Sequence, residues 1–174
     1  MEALEIKTQK VQIEADETIT ELIQLLSEFT PEQLNIVPFE GSWTAAQLAQ
    51  HMVLADGGFA EMISGPVIET QRKVDEMISK IKSIFLNFDS KLSSPDFVIP
   101  QLIDYEKEEL IDSLTKIKIS INKSLETLDL TKTCTAFELP VLGFLTRLEA
   151  TYFVIYHTQR HVHQLKRIHQ KVVK

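Results

Sequence analysis

The run Tyr152–Phe153–Val154–Ile155–Tyr156–His157–Thr158–Gln159–Arg160–His161–Val162–His163–Gln164–Leu165 sets the architecture that the other elements must satisfy. With Leu145 and Leu148 before it, this stretch carries apolar residues on several sides, and a helix is expected from about Leu142 to Val172. A helix that is apolar nearly all round is a central one and needs helical neighbours on more than one side. His157 and His161 are four residues apart, so two imidazoles stack on one face at a spacing that suits a single metal ion. At ~100° per residue they lie ~40° apart, whereas His163 points ~120° away. His163 and His169 are therefore expected to face solvent or to support the pair.

Working upstream, the periodicity supplies the neighbours. Ala15, Ile19, Leu22, Leu26 and Phe29 form one stripe, predicting a helix from about Thr8 to Glu28 that Pro31 stops. A second helix starts at Thr44, where Thr44 and Gln47 make a capping box, with Trp43 and Leu48 placed as a hydrophobic staple. Its stripe runs through Leu48, Met52, Ala55, Phe59 and Met62 and ends near Ser64–Gly65–Pro66. Residues 67–88 repeat a helical pattern. The stretch 87–100 reads as an ordered loop, because Phe97, Val98 and Ile99 need cover. A further long helix spans Tyr105 to Leu128, and Asp129–Pro140 connects it to the last one. The expected fold is all-α: one domain over residues 1–174, a four-helix bundle with a helix-plus-loop insertion (67–104) between the second and third principal helices. Loops of this length permit crossover connections.

Composition narrows the function classes. Gly and Pro number only 5 and 6, which disfavours an all-β domain rich in tight turns. The net charge of −7 argues against a nucleic-acid partner, whose phosphates demand basic residues. The basic end, Lys166–Arg167 through Lys174, closes a helix and complements its dipole. A single cysteine, Cys134, excludes an internal disulfide and fits a reducing compartment. The start Met1–Glu2–Ala3–Leu4–Glu5 lacks the basic-then-apolar order of a signal peptide. No apolar run approaches the ~20 residues of a membrane helix. A cytoplasmic protein with no membrane partner is expected.

A third histidine, His51, ends the run Ser42–Trp43–Thr44–Ala45–Ala46–Gln47–Leu48–Ala49–Gln50–His51 and falls on or beside the inward face of the second helix. If that helix neighbours the last one, three imidazoles meet. The competing reading is three unrelated core histidines, each merely hydrogen-bonded. No glycine-rich phosphate loop, serine nucleophile elbow or Cys-x-x-Cys is present. The positions three before His51, His157 and His161 are Leu48, Val154 and Thr158, which tells against a di-iron bundle.

The segments Ser42–Trp43–Thr44…Leu48–Ala49–Gln50–His51 and Tyr156–His157–Thr158–Gln159–Arg160–His161 resemble the two motifs of the DinB/YfiT-like superfamily, in its single-domain branch. The resemblance implies a four-helix bundle holding one divalent metal, nickel or zinc first and iron or manganese after, on His51, His157 and His161. It also implies a small-molecule substrate and transfer of a low-molecular-weight thiol (bacillithiol, mycothiol or glutathione) to an electrophile. Dimers are common in the family, so a homodimer is among the expectations. Residues 1–174 hold no counterpart of the extra C-terminal domain of mycothiol-dependent maleylpyruvate isomerases, so that activity is less expected, and the 67–104 stretch can reshape the pocket mouth. Three neutral histidines leave coordination positions open, where a divalent ion lowers the pKa of a bound water to ~7 or deprotonates a thiol. A metal-dependent hydrolase and a non-catalytic metal-binding stress-response protein are the alternatives. Gln47 and Gln164 face roughly toward the site and are weaker candidates to orient a water or substrate, against plain polar packing. Arg160 is placed to hold a substrate carboxylate, against a reading as a surface arginine. Cys134 is expected to be a buried small hydrophobe. No residue is singled out as catalytic.

Overall fold

A computed structural model describes the backbone of residues 2–173 and the side chains of residues 9–173. Met1 of the acidic start and Lys174 of the basic end lie outside the described residues. Among the described residues six α-helices follow in order: α1 Glu2–Ser27, α2 Pro31–Leu34, α3 Ala45–Ser64, α4 Ile78–Phe85, α5 Lys107–Thr127 and α6 Arg147–Val172. Two short strands, β1 Val67–Ile68 and β2 Thr133–Cys134, pair antiparallel. The long helices are α1, α3, α5 and α6, and they form the expected all-α bundle.

Packing fixes their arrangement. α1 and α3 each pack against both α5 and α6, so α1 and α3 stand on one diagonal and α5 and α6 on the other. Lys107 at the start of α5 donates to the carbonyls of Ser27, the last residue of α1, and of Phe29 just beyond it, and Asn122 near its other end donates to Asp16. α5 therefore runs against α1. Lys166 bonds Glu21 and His169 bonds Glu28, so α6 runs along α1. Arg147 at the start of α6 donates to the Ile63 and Gly65 carbonyls at the end of α3. The order is up-down-down-up, and α1–α3 and α5–α6 are joined across diagonals.

The core has two apolar clusters. One gathers Val11, Ala15, Ile63, Ile121, Leu148, Val154, Ile155 and Tyr156. The other gathers Leu22, Phe29, Leu48, Met52, Leu114, Val162 and Leu165. Along α6 the first cluster stops at Tyr156 and the second begins at Val162, so His157 and His161 fall on the seam. Burial of these side chains, each contributing roughly 1.5–3 kcal/mol, holds the seam between two packed blocks.

α1 starts at Glu2 rather than about Thr8, and three further expectations change for a visible reason. The last helix starts at Arg147 rather than Leu142. Leu139 and Gly143 exchange two backbone hydrogen bonds, and Val141 and Gly143 take positive φ (70° and 68°), which no right-handed helix accommodates. Thr146 then caps α6 in a capping box with Glu149. In the 67–88 stretch only Ile78–Phe85 is helical. Upstream of it, Val67 pairs with Cys134, Thr70 bonds the Thr131 carbonyl and Thr133, and Arg72 reaches Glu149. These tertiary bonds outweigh the local periodicity. In the loop, a 3-10 turn at Asp96–Val98 buries Val98 but leaves Phe97 and Ile99 exposed, so of those three only Val98 is covered.

Candidate metal centre

α3 and α6 deliver the three histidines to one point. Thr44 caps α3, its hydroxyl accepting from the Gln47 amide while Gln47 accepts from the Thr44 amide, which sets the first turn and the phase of His51 two turns on. On α6 the four-residue spacing places His157 and His161 one above the other, ring centroids 4.5 Å apart. His51 Nε2 lies 3.2 Å from His157 Nε2, and His161 Nε2 lies 3.1 Å from the same atom. All three residues are buried, at 2, 8 and 8 % exposure.

The protons of two rings can be placed. His51 Nδ1 sits 2.8 Å from the Val98 carbonyl, which can only accept, so Nδ1 carries the proton. His161 Nδ1 sits 3.1 Å from Gln164 Oε1 and donates to it. Both rings therefore present bare Nε2 lone pairs to the same point. His157 has its Nδ1 3.6 Å from Asp56 Oδ1, and neither atom has a hydrogen-bond partner. The other Asp56 oxygen accepts from the Thr158 hydroxyl at 3.1 Å.

Burial governs the electrostatics. Desolvation lowers the pKa of all three histidines, that of His157 to about 3, with the neighbouring rings and Arg160 adding to the effect on His157 and His161. Each ring is neutral at pH 7, the protonation state in which imidazole ligates metal. Burial pushes the Asp56 carboxyl up to about 7, against the Thr158 hydrogen bond and the charge of His51.

The residues fit a metal ion. Two nitrogens each ~2.0–2.1 Å from one ion, at right or tetrahedral angles, stand about 2.8–3.4 Å apart, and the two observed separations fall in that range. Three facing nitrogens buried between apolar clusters can hold a divalent cation. Around them stand the rings of Trp43, 5.1 Å from His51, and of Phe85 and Phe153, 5.3 and 5.8 Å from His157.

The DinB superfamily model matches residues 14–165. The chain belongs to the DinB superfamily. No curated protein and no solved structure matches it. Within this DinB-superfamily chain the weaker candidates separate. Gln164 touches His161 directly. Gln47 spends its oxygen on the α3 cap and points its amide nitrogen at the Ile103 carbonyl, 3.4 Å away. Arg160 donates to the carbonyls of Phe85, Asn87 and Ser90, tying the end of α4 to α6. Cys134 is fully buried, and desolvation raises its pKa to about 11, so it stays a thiol. His163 is exposed and stacks on Phe88.

Sequence reasoning missed Asp56 and the Val98 carbonyl. The available signal for Asp56 was an acid flanked by the inward positions Met52, Ala55 and Phe59. A backbone carbonyl leaves no signal at all. No described helix is long and apolar enough to cross a membrane.

Proposed function

We propose that this DinB-superfamily protein is a mononuclear metalloprotein whose ligands are His51, His157 and His161, and that it transfers a low-molecular-weight thiol to an electrophilic small molecule. The carrying observation is the convergence of three buried Nε2 atoms, two of them with their proton held on the far side of the ring by Val98 and Gln164. Nickel or zinc suits an all-imidazole set, with iron next and manganese, which prefers oxygen ligands, last. When bound, such an ion supplies Lewis acidity and lowers the pKa of a thiol or water.

The chain's own groups do the rest. Val98 and Gln164 fix two ring orientations, so little rearrangement accompanies binding. Trp43, Phe85 and Phe153 wall the histidines with aromatic surface and exclude water. In the transfer, the thiol sulfur bonds to the electrophilic carbon, the leaving group departs with the electron pair, and the thiol proton passes to solvent. The test is the metal content of protein purified without chelator, beside His157→Ala, followed by thiol consumption with a panel of electrophiles. Near-stoichiometric metal, lost in the variant, with metal-dependent thiol consumption supports the proposal. Absence of metal in both proteins after ions are added back overturns it.

A metal-holding role without turnover is favoured by one observation: the 3-10 turn covers His51, leaving it 2 % exposed beneath the Val98 carbonyl. Stoichiometric metal with no thiol consumption selects that role.

A further inference from the structure

We infer that Asp56 is the positioning residue of the centre: its carboxylate holds the proton of His157 on Nδ1 and turns Nε2 toward the ion, while Thr158 holds the carboxylate. The inference rests on the metal reading above and extends it to a residue outside the ligand set.

The three rings are held unequally. His51 and His161 each have a neutral acceptor on Nδ1, but His157, whose Nε2 lies within 3.2 Å of both others, has none within bonding distance. Its Nδ1 instead faces Asp56 Oδ1 at 3.6 Å, and that oxygen is also without a partner. Two orphaned buried atoms, one a potential donor and one an acceptor, face each other across a gap that a few tenths of an ångström would close. Placing the His157 proton on Nε2 would direct it at the bare Nε2 atoms of His51 and His161, where it would take the ion's position, and would leave Nδ1 with no proton to donate to Asp56 Oδ1. Placing it on Nδ1 satisfies both orphans and frees the third Nε2.

Charge points the same way. Asp56 is 1 % exposed, and among the described residues no lysine or arginine pairs with it. A buried carboxylate without a cation is costly. A divalent ion among three neutral imidazoles is a buried cation without an anion. Across one imidazole ring, each offsets the other. Thr158 stands next to His157 on α6 and is fully buried, so its hydroxyl fixes the carboxylate from the same helix that carries the ligand.

The experiment measures zinc affinity by chelator competition for the wild type, Asp56→Asn, Asp56→Ala and Thr158→Val. Folding of each metal-free form is checked by circular dichroism. Loss of the supporting partner should weaken binding ~10–100-fold. Asp56→Ala should stand at the upper end, and Asp56→Asn, which keeps an acceptor oxygen but no charge, at the lower. If Asp56→Ala does not fold, Asp56→Asn and Thr158→Val carry the test. Histidine nitrogen NMR of the zinc-loaded protein supplies a readout that general destabilisation would not move. The His157 Nδ1 proton should resonate far downfield in the wild type and move upfield in Asp56→Ala, with Asp56→Asn between. Wild-type affinity in all folded variants, or a His157 Nδ1 proton insensitive to Asp56, overturns the inference. A wild type that takes up no zinc or nickel instead overturns the metal reading, and this inference falls with it.

Discussion

Replacing Glu149 by alanine should cost this protein about 3 kcal/mol of stability, although the residue lies outside the histidine cluster. The Glu149 side chain is fully buried at the start of α6 and accepts four hydrogen bonds. Arg72 Nη1 and Nη2 each donate at 2.6 Å, the Met77 amide at 2.8 Å and the Thr146 amide at 2.9 Å. Breaking a buried pair by removing one partner costs roughly 3–5 kcal/mol. Arg72 keeps a quarter of its surface, so water recovers part of the loss and the lower figure applies. For a chain of this length about 3 kcal/mol corresponds to a Tm decrease of roughly 6–12 °C. Thermal and urea unfolding measure it directly. A control decides whether distance or burial sets the value. Lys116 and Asp112 also pair at 2.6 Å, but with 73 and 62 % of their side chains exposed. Lys116→Ala should leave Tm unchanged, because solvent screens an exposed pair. A Glu149→Ala loss under about 1 kcal/mol, or equal losses at the two pairs, would refute the reasoning.

Three other outcomes follow from the same structure. Zinc at ~100-fold above its Kd should add about 2.7 kcal/mol to the wild type, roughly 5–10 °C in Tm, and nothing to His157→Ala; equal shifts in both proteins would mean that the ion binds elsewhere. The metal-free protein should lose stability as pH falls below about 6.5, because unfolded histidines take up protons that buried His51, His157 and His161 refuse. The raised Asp56 works oppositely, binding a proton in the folded state between about 4 and 7, but one carboxyl cannot offset three imidazoles; a Tm that stays flat from pH 7 to 5 would contradict this. Arg160→Met should speed amide exchange over residues 86–90 with little change in global Tm, since the guanidinium holds that backbone through three carbonyls; unchanged exchange would leave the tie without mechanical effect.

The legible parts of the sequence were those where one residue's role depends on its own helix. The stripes of α1 and α3 and the His157–His161 spacing are local, and packing preserved them. Thr44 with Gln47 was readable as a cap for the same reason. Thr146 with Glu149 carries the same spacing signal, but an apolar run from Leu142 masked it. The 67–77 stretch could not be read locally, because Thr70, Arg72 and Val74 find their partners at Thr131, Glu149 and Thr146. Asp56 was hidden by the helical wheel itself. Five residues after His51, it lies ~140° round α3 from that histidine, and only the packing of α6 beside α3 brings it to the back of His157.

That placement explains why the candidate centre occupies the seam of the core. A ligand ring needs an open Nε2 and a held Nδ1, so each histidine requires an acceptor behind it as well as a neighbour in front. Two acceptors are in hydrogen-bond range, Gln164 on the same helix as His161 and the Val98 carbonyl on the inserted segment, while Asp56 on the facing helix stands 3.6 Å behind His157. Gln164 needs only α6 and Asp56 only the α3–α6 pair, but the set requires α3, α6 and the insertion to be docked together. The geometry of the three histidines is thus a readout of tertiary assembly. Loosening the 87–104 stretch should therefore reach the site through His51 before it disturbs His157 or His161, whose acceptors stay on the bundle.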